Sequence, residues 1–164
     1  MVISFSVNLL EVLMIIKCNR GRRSLFLDKD AQRRIELYGN AKWAIVDLLN
    51  EKYSFRFAAP IDLYHWLYFQ EHDEVAYFLN EAGSNVLNYG ENKLPSAFHL
   101  WLGEKGFIIG IEQEGKGFNA IQIDELHLKE NEGAGFEFFR NCHATIFFDN
   151  PQNANVIYFM QTWQ

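Results

Sequence analysis

The sequence has 164 residues and a formal net charge of −6, with 49% apolar and 16% aromatic side chains. These values exclude an intrinsically disordered chain and suit one domain that buries its own core. The acidic balance argues against direct nucleic-acid binding. Two cysteines offer neither a disulfide framework nor a zinc pattern, so we expect a cytoplasmic protein. The apolar run 9–16 is too short to cross a bilayer and contains Glu11, so no membrane partner is expected.

The N-terminal residues 1–27 are expected to belong to the same domain as the rest of the chain, residues 28–164. ISFSVN (3–8) and LLEVLMIIKCN (9–19) predict two β-strands, the second largely buried. NRGRRS (19–24) predicts a basic turn.

Two helical regions are predicted before the middle of the chain. The first begins at Asp28 or Asp30, because either carboxylate can cap a helix N-terminus, and it runs to about Lys52. The second extends from Ile61 to Tyr89.

The second half of the chain changes to strand-like alternation. Strands are predicted at AFHLWLGE (97–104), FIIGIEQ (107–113), ATIFFD (144–149) and NVIYFMQ (155–161), with a loop over 114–133 and a short helix at GAGFEFFRNCH (133–143). This order predicts an α+β two-layer sandwich, in which a mixed, mostly antiparallel sheet carries helices on one face.

The segment LNEAGSNVLNYG (79–90) combines a polar and an apolar helix face. At about 100° per residue, the polar side chains gather beside the apolar ones. The apolar group is Val75, Phe78, Leu79, Ala82 and Val86, and the polar group is Glu74, Glu81, Asn85 and Asn88. A carboxylate at the rim of a core can accept a proton, and an amide oxygen can ligate Mg²⁺. The alternative is a solvated helix flank that ends at Gly90.

Two Gly-x-Gly sequences stand at positions suited to phosphate binding. Gly115 and Gly117 follow a predicted strand, whereas Gly133 and Gly135 open a predicted helix. Glycine lets backbone N–H groups approach an anion closely, and a helix N-terminus favours negative charge. Neither sequence is a Walker loop, and ordinary turns are the alternative explanation.

Taken together and in this order, the three segments resemble the GHKL (Bergerat-fold) ATPases, most nearly the anti-sigma-factor serine kinases. NEAGSNVLNYG (80–90) is similar to the N box of that family. IGIEQEGKGF (109–118) and EGAGFEFF (132–139) are similar to its first and second glycine boxes. The resemblance covers about residues 28–162 and implies a histidine-kinase-like ATPase domain with the Bergerat fold, which would bind ATP and Mg²⁺.

The resemblance also assigns roles to individual residues. Glu81 would be the catalytic residue that activates water or a protein serine, and Asn85 would ligate Mg²⁺. The implied nucleotide-binding residues are Asn85, Asn88, Gln113, Gly115, Gly117, Gly133 and Gly135. Gly115 and Gly117 would lie beneath the adenine, and Gly133 and Gly135 would hold phosphates.

Three positions depart from the family pattern. Gln113 stands where the family has the aspartate that binds adenine, and Tyr89 replaces the N-box histidine. Ala154 and Asn155 occupy the region of the Gly-Thr pair that supports this aspartate. A neutral glutamine can accept a hydrogen bond through its carbonyl oxygen, but it lacks the aspartate's charge.

Two functional hypotheses follow from the resemblance. The first is a regulatory ATP-binding domain, acting as an ATP-dependent protein serine kinase or ATPase on a sigma-factor or anti-anti-sigma-like partner. A homodimer is compatible with this hypothesis. The alternative is a degenerate, non-catalytic GHKL-like protein-interaction module with weak or no nucleotide binding.

The basic residues are concentrated near the N-terminus. Residues 1–42 carry eight Lys/Arg and four acidic residues, so they form a basic shoulder on an acidic chain. This shoulder could dock an acidic partner, and a solvated loop and helix face is the alternative.

Overall fold

The computed structural model describes residues 3–27, 30–64, 73–91, 95–130 and 134–164. In chain order its helices are α1 (Leu9–Ile15), α2 (Ala31–Tyr53), α3 (Asp73–Tyr77), α4 (Gly83–Leu87), α5 (Ala120–Glu130) and α6 (Ala134–Asn141). A 3₁₀ turn (Ser54–Arg56) follows α2, and a π-helical segment (Phe78–Ala82) joins α3 to α4 without a break. The strands are β1 (Arg23–Phe26), β2 (Ala97–Leu102), β3 (Gly106–Glu112), β4 (Thr145–Phe148) and β5 (Val156–Thr162).

The described strands form one sheet in the order β1-β2-β3-β5-β4, and each neighbouring pair is antiparallel. Two sequence-adjacent hairpins, β2–β3 and β4–β5, meet where β3 pairs with β5 over seven residue pairs. The predicted α+β class and both predicted hairpins are therefore confirmed. The parallel component of the expected mixed sheet is limited, among the described residues, to an isolated bridge between Ile3 and Ile146.

The larger core lies between one sheet face and the helices α2 to α4 and α6. Phe159 on β5 lies at its centre, with ring centroids 5.1 Å from Phe78 and 6.3 Å from Phe107. All three side chains have no exposed surface. The alternation of β2, β3 and β5 places every second residue on this face.

Helix α1 packs on the opposite face of the sheet, so the prediction of a β-strand at 9–19 is wrong. Val12 and Ile16 are fully buried there, against strand residues that include Trp101 and Tyr158. Asn8 caps the helix through a reciprocal pair of hydrogen bonds with Glu11. This capping box was the available signal for a helix. Helices therefore cover both sheet faces, not one.

The predicted strand at 3–8 is also wrong, because among these described residues only Ile3 forms an isolated bridge. The remaining predictions are partly confirmed. Asp30 caps α2, accepting hydrogen bonds from the backbone of Gln32 and Arg33, and α2 ends within a residue of the expected position. The predicted loop over 114–133 is wrong, because α5 occupies most of it. Strand β1 replaces the end of the predicted basic turn. No helix in the described ranges is long and apolar enough to span a membrane.

Candidate functional site

The helix that carries Glu81 is distorted by its π-helical segment, and α2 holds that segment in place. The hydroxyl group of Tyr38 donates to the carbonyl oxygen of Leu79 at 2.8 Å, and Lys42 Nζ donates to Asn80 Oδ1 at 2.9 Å. Asn80 in turn donates to the carbonyl oxygen of Leu63 at 2.8 Å. Such π-helical insertions are frequent at functional sites.

Glu81 and Asn85 form a hydrogen-bonded pair on the outer side of this helix. Asn85 Nδ2 donates to Glu81 Oε2 at 3.3 Å, so the amide nitrogen of Asn85 faces Glu81 and its oxygen is the atom of Asn85 that could ligate a cation. Glu81 is half-buried and Asn85 is exposed. Lys42 lies nearby, and burial lowers the pKa of its ammonium group while the Glu81 carboxylate opposes that effect.

A cavity of about 290 Å³ borders Glu81 on the α2 side. Its lining consists of Gly39, Lys42, Trp43, Leu63, Tyr64, Asn80 and Glu81. Lys42 was not singled out from the sequence, because its place beside Glu81 depends on how α2 packs on the π-helical segment.

Glu74 does not belong to the same polar face. Its carboxylate accepts hydrogen bonds from the backbone N–H of His143 at 2.8 Å and from His143 Nδ1 at 2.8 Å. It therefore fixes the turn before β4. The predicted polar stripe is split because the π-helical segment changes the helical phase between Glu74 and Glu81.

The end of α4 is bonded directly to the first glycine loop. The backbone N–H of Glu91 donates to the carbonyl oxygen of Lys116 at 2.9 Å, and the N–H of Lys116 donates to Glu91 Oε2 at 2.6 Å. Gly90 lies against the side chain of Gln113, so closely that a Cβ atom there would be 1.8 Å from Gln113 Nε2. The backbone of Gly90 is not left-handed. Close packing, and not a helix cap, is the reason for glycine at this position.

Gln113 is buried and held by the turn between β4 and β5. Its Nε2 atom donates to Asn155 Oδ1 at 3.2 Å and to the carbonyl oxygen of Lys116 at 3.2 Å. Its backbone N–H donates to the carbonyl oxygen of Asn155 at 2.9 Å. Asn155 therefore supports Gln113 through both its side chain and its backbone. This pairing was not recognised in the sequence.

The two glycines of the first loop have different structural roles. Gly115 has a φ of 96°, which favours glycine. Gly117 approaches the β4–β5 turn, where a Cβ atom would be 2.6 Å from the carbonyl oxygen of Ala154. Both glycines thus shape the loop.

An aromatic cluster joins the loop to the helices. The Tyr89 ring centroid lies 6.0 Å from that of Phe118 and 6.5 Å from that of Phe136. His127 on α5 stacks on Phe136 at 5.7 Å, and a hydrogen bond links its Nε2 atom to the Tyr89 hydroxyl group. His127 was missed because the sequence predicted a loop there.

His127 carries an unusual polar atom. The side chain is 9% exposed, and its Nδ1 atom is buried without a hydrogen-bond partner among the described residues. A buried polar atom of this kind normally has a partner in the protein, in water or in a ligand.

The other predicted residues are less informative. Asn88 is exposed, and its backbone N–H donates to the carbonyl oxygen of Asn85 at 3.2 Å. Gly135 is buried in the first turn of α6. Gly133 lies outside the described residues. The hydrogen bonds and ring contacts that connect the three motifs are made by residues 89–91, at the end of the N-box segment.

A second polar cluster, on the sheet face that carries α1, was not predicted. Buried His99 on β2 bonds Ser24 Oγ on β1 through Nδ1 at 2.8 Å and Glu112 Oε2 on β3 through Nε2 at 2.6 Å. These bonds run across neighbouring strands and tie β1, β2 and β3 together.

The two cysteines are expected to differ sharply in reactivity. Burial and the nearby Glu74 carboxylate raise the pKa of the Cys142 thiol from 9.0 to about 12. Iodoacetamide at pH 8, followed by mass spectrometry, should therefore modify half-exposed Cys18 and spare Cys142, because the thiolate is the nucleophile. Urea-denatured protein, the control, should be modified at both; equal modification of the folded chain would contradict the expectation.

The same pKa shift predicts the direction of alkaline unfolding. Because folding disfavours the Cys142 thiolate, the stabilisation is complete below pH 9 and is lost as the pH rises towards 12.

Comparisons with protein-family models, with curated proteins and with solved structures give no match to this chain.

Proposed function

We propose that this chain is a regulatory nucleotide-binding domain of the GHKL type, with a Bergerat fold that takes Mg·ATP. The supporting observation is the meeting of three motif-like segments that are distant in sequence. Tyr89 is the penultimate residue of the N-box-like segment, Phe118 is the last residue of the segment similar to the first glycine box, and Phe136 lies in the segment similar to the second. Their rings form one cluster. The chain order of a helix, a hairpin, two helices and a second hairpin around an antiparallel sheet agrees with this proposal.

The residues on the phosphate side fit a magnesium–phosphate group. Mg²⁺ keeps several waters and needs only one or two protein oxygens beside the phosphates. Asn85 would supply an amide oxygen, since its nitrogen is directed to Glu81. The buried Nδ1 atom of His127 has no hydrogen-bond partner among the described residues, so it would offer a further polar contact for a bound ligand.

The residues on the adenine side fit less well than an aspartate would. Gln113 is buried, and its Nε2 atom donates to Asn155 and to Lys116. In this proposal its carbonyl oxygen would accept a hydrogen bond from the adenine amino group. Loss of a charged hydrogen bond costs about 1.5–3 kcal/mol, which weakens affinity roughly tenfold to a hundredfold. The proposal therefore includes weaker binding than an aspartate site provides.

Glu81 would act as the general base. Its carboxylate would accept the proton of the attacking hydroxyl group, from water or from a serine of a regulatory partner protein, as the γ-phosphoryl group is transferred and ADP leaves. Lys42 lies near Glu81, and its ammonium group would attract this carboxylate electrostatically.

Calorimetric titration with Mg·ATP tests binding, and release of phosphate from labelled ATP tests catalysis. Glu81→Gln should retain ATP affinity within about twofold while losing about a hundredfold in hydrolysis, since general-base catalysis contributes roughly 10²–10⁴. Glu36→Gln, an exposed acid on α2, is the matched control and should leave both unchanged. Unaltered hydrolysis in Glu81→Gln would remove Glu81 from the mechanism.

One observation favours the alternative of a non-catalytic interaction module. The Gln113 side chain is packed against Gly90 and bonded to two neighbours, so the adenine position is closely occupied by protein atoms. In that case neither Mg·ATP nor Mg·ADP would produce heat or raise the melting temperature at millimolar concentration. Binding that requires Mg²⁺ and weakens on Asn85→Ala would exclude this alternative.

A further inference from the structure

Strand β1 is the terminal strand of the sheet on one side, as far as the chain is described. It pairs with β2 from Arg23 opposite Leu100 to Phe26 opposite Ala97. Three of its four residues are exposed, including Phe26 at 70%. A terminal strand of this kind is a template for pairing with another extended segment.

The direction of the backbone groups follows from the register. The N–H of Leu27 donates to the carbonyl oxygen of Ser96, which continues the β1–β2 pairing by one residue. In an antiparallel ladder, alternate residues direct both backbone groups to the same side. The N–H and C=O groups of Ser24 and Phe26 therefore point away from β2, towards the outer edge.

A basic cavity of about 550 Å³ lies at the Arg23 end of this edge. Its lining consists of Lys17, Asn19, Arg20, Arg23, Leu48, Glu51, Lys52, Leu102 and Glu104. Four cations face two carboxylates, so the cavity has an excess of positive charge. A smaller adjoining cavity shares Arg20, Arg23 and Lys52.

The basic loop that forms this cavity is fixed to the sheet. Cys18 Sγ donates to the carbonyl oxygens of Arg20 at 3.1 Å and Leu102 at 3.7 Å. The N–H of Lys105 donates to the carbonyl oxygen of Ile16 at 2.9 Å. The loop backbone is held at Cys18 and continues into β1, which pairs with β2, so little backbone entropy is lost when the cations bind an anion.

The opposite end of β1 is apolar. Leu25 is directed to the α2 side of the sheet and Phe26 to the α1 side, in keeping with the alternation of the strand. The edge therefore has a basic half at 17–23 and an apolar half at Leu25 and Phe26.

We propose that the outer edge of β1 binds an extended segment of a partner protein that is acidic in one half and apolar in the other. The segment pairs with the outward backbone groups of Ser24 and Phe26 and places its carboxylates in the basic cavity. This mode gives affinity through main-chain hydrogen bonds and specificity through side chains. The proposal names the chemistry of the partner and does not depend on nucleotide binding.

Fluorescence anisotropy tests the proposal without nucleotide. The probes are fluorescein-labelled peptides of sequence Val-Thr-Val-Thr-Val-Glu-Asp-Glu-Glu and its reverse, since either strand direction is allowed. At least one should bind, and it should bind more weakly as salt concentration rises. The same peptides with lysine for each acid should not bind. Failure of both acidic peptides to bind at about 1 mM, which corresponds to a weak interaction, would overturn the proposal.

Two pairs of variants separate charge from strand pairing. Arg20→Glu should weaken binding about tenfold, whereas Lys129→Glu on α5, the same charge change elsewhere, should have little effect. Phe26→Pro removes one outward N–H without removing a β1–β2 hydrogen bond, so it should abolish binding. Phe26→Ala keeps that N–H and should weaken binding only partly. Unchanged melting temperatures would show that each variant is folded.

Three further outcomes would overturn the proposal. Equal binding by Phe26→Pro and Phe26→Ala would exclude strand addition. If inorganic tripolyphosphate displaced the labelled peptide completely, and a purely acidic peptide bound as tightly as the half-apolar one, the cavity would instead be a site for small anions. Self-association that Phe26→Pro removes, measured by sedimentation, would assign the edge to a second copy of the chain.

Discussion

Replacing Phe159 by alanine is expected to lower the free energy of unfolding by about 3–5 kcal/mol, the usual cost of truncating a buried phenylalanine. The side chain has no exposed surface and lies on β5, between the two strands that pair with it. It contacts Phe78 in the π-helical segment and Phe107 on β3. Truncation would leave a cavity between the sheet and the Glu81 helix, because neighbours fixed in strands relax only partly.

Urea unfolding followed by circular dichroism measures this effect. Phe55→Ala is the matched control, since Phe55 is 74% exposed and should change the stability by less than about 0.5 kcal/mol. Similar losses for the two variants would show that Phe159 does not hold the core together. The same Phe159 variant should also weaken any activity that depends on the position of Glu81.

Replacing Gly90 by alanine is expected to cost about 2–4 kcal/mol, because overpacking is combined with the loss of buried hydrogen bonds. The new Cβ atom would be 1.8 Å from Gln113 Nε2, so Gln113 must move. That movement breaks its bonds to Asn155 and to the carbonyl oxygen of Lys116. The loss of stability is thus expected to arise at the junction between α4 and the first glycine loop.

A double-mutant cycle with Gln113→Ala tests the cause. If the clash dominates, Gly90→Ala should cost much less in the Gln113→Ala background, with a coupling energy of about 1–3 kcal/mol. Gly39→Ala in α2 is the control, since no atom lies within 4 Å of its Cβ position, and it should be neutral or slightly stabilising. Additive effects at positions 90 and 113 would contradict the packing described for this junction.

The two candidate functions are compatible with the same fold, and they differ in the role that the Gln113 side chain would have. If Gln113 turns its carbonyl oxygen to a purine, the junction of Tyr89, Phe118 and Phe136 forms part of a nucleotide site. If Gln113 serves only to bond Asn155 and Lys116, the same junction is structural, and regulation would act through protein contacts. The Mg·ATP titration decides between these, and the peptide experiment at β1 is independent of its outcome.

Local signals in the sequence determined much of the fold. The sequence placed the start of α2 at Asp28 or Asp30, and Asp30 is the observed cap. It also predicted strands at 97–104 and 107–113, which form the β2–β3 hairpin, because period and capping are properties of neighbouring residues. The wrong predictions arise because they too rest on neighbouring residues alone. An apolar run such as 9–16 fits a buried strand or a helix equally well, and α1 was settled by packing on the sheet.

The sequence by itself determined which residues could carry chemistry, Glu81 and Asn85 among them, since side-chain type and spacing are local. Tertiary structure alone decided what those residues meet: Lys42 beside Glu81, Asn155 bonded to Gln113, and Tyr89 packed with His127. The hydrogen bonds between Tyr89 and His127 and between Gln113 and Asn155 join residues that are 38 and 42 positions apart in the sequence. No local pattern encodes such contacts, because they arise when helices pack on a sheet whose strand order brings distant segments together.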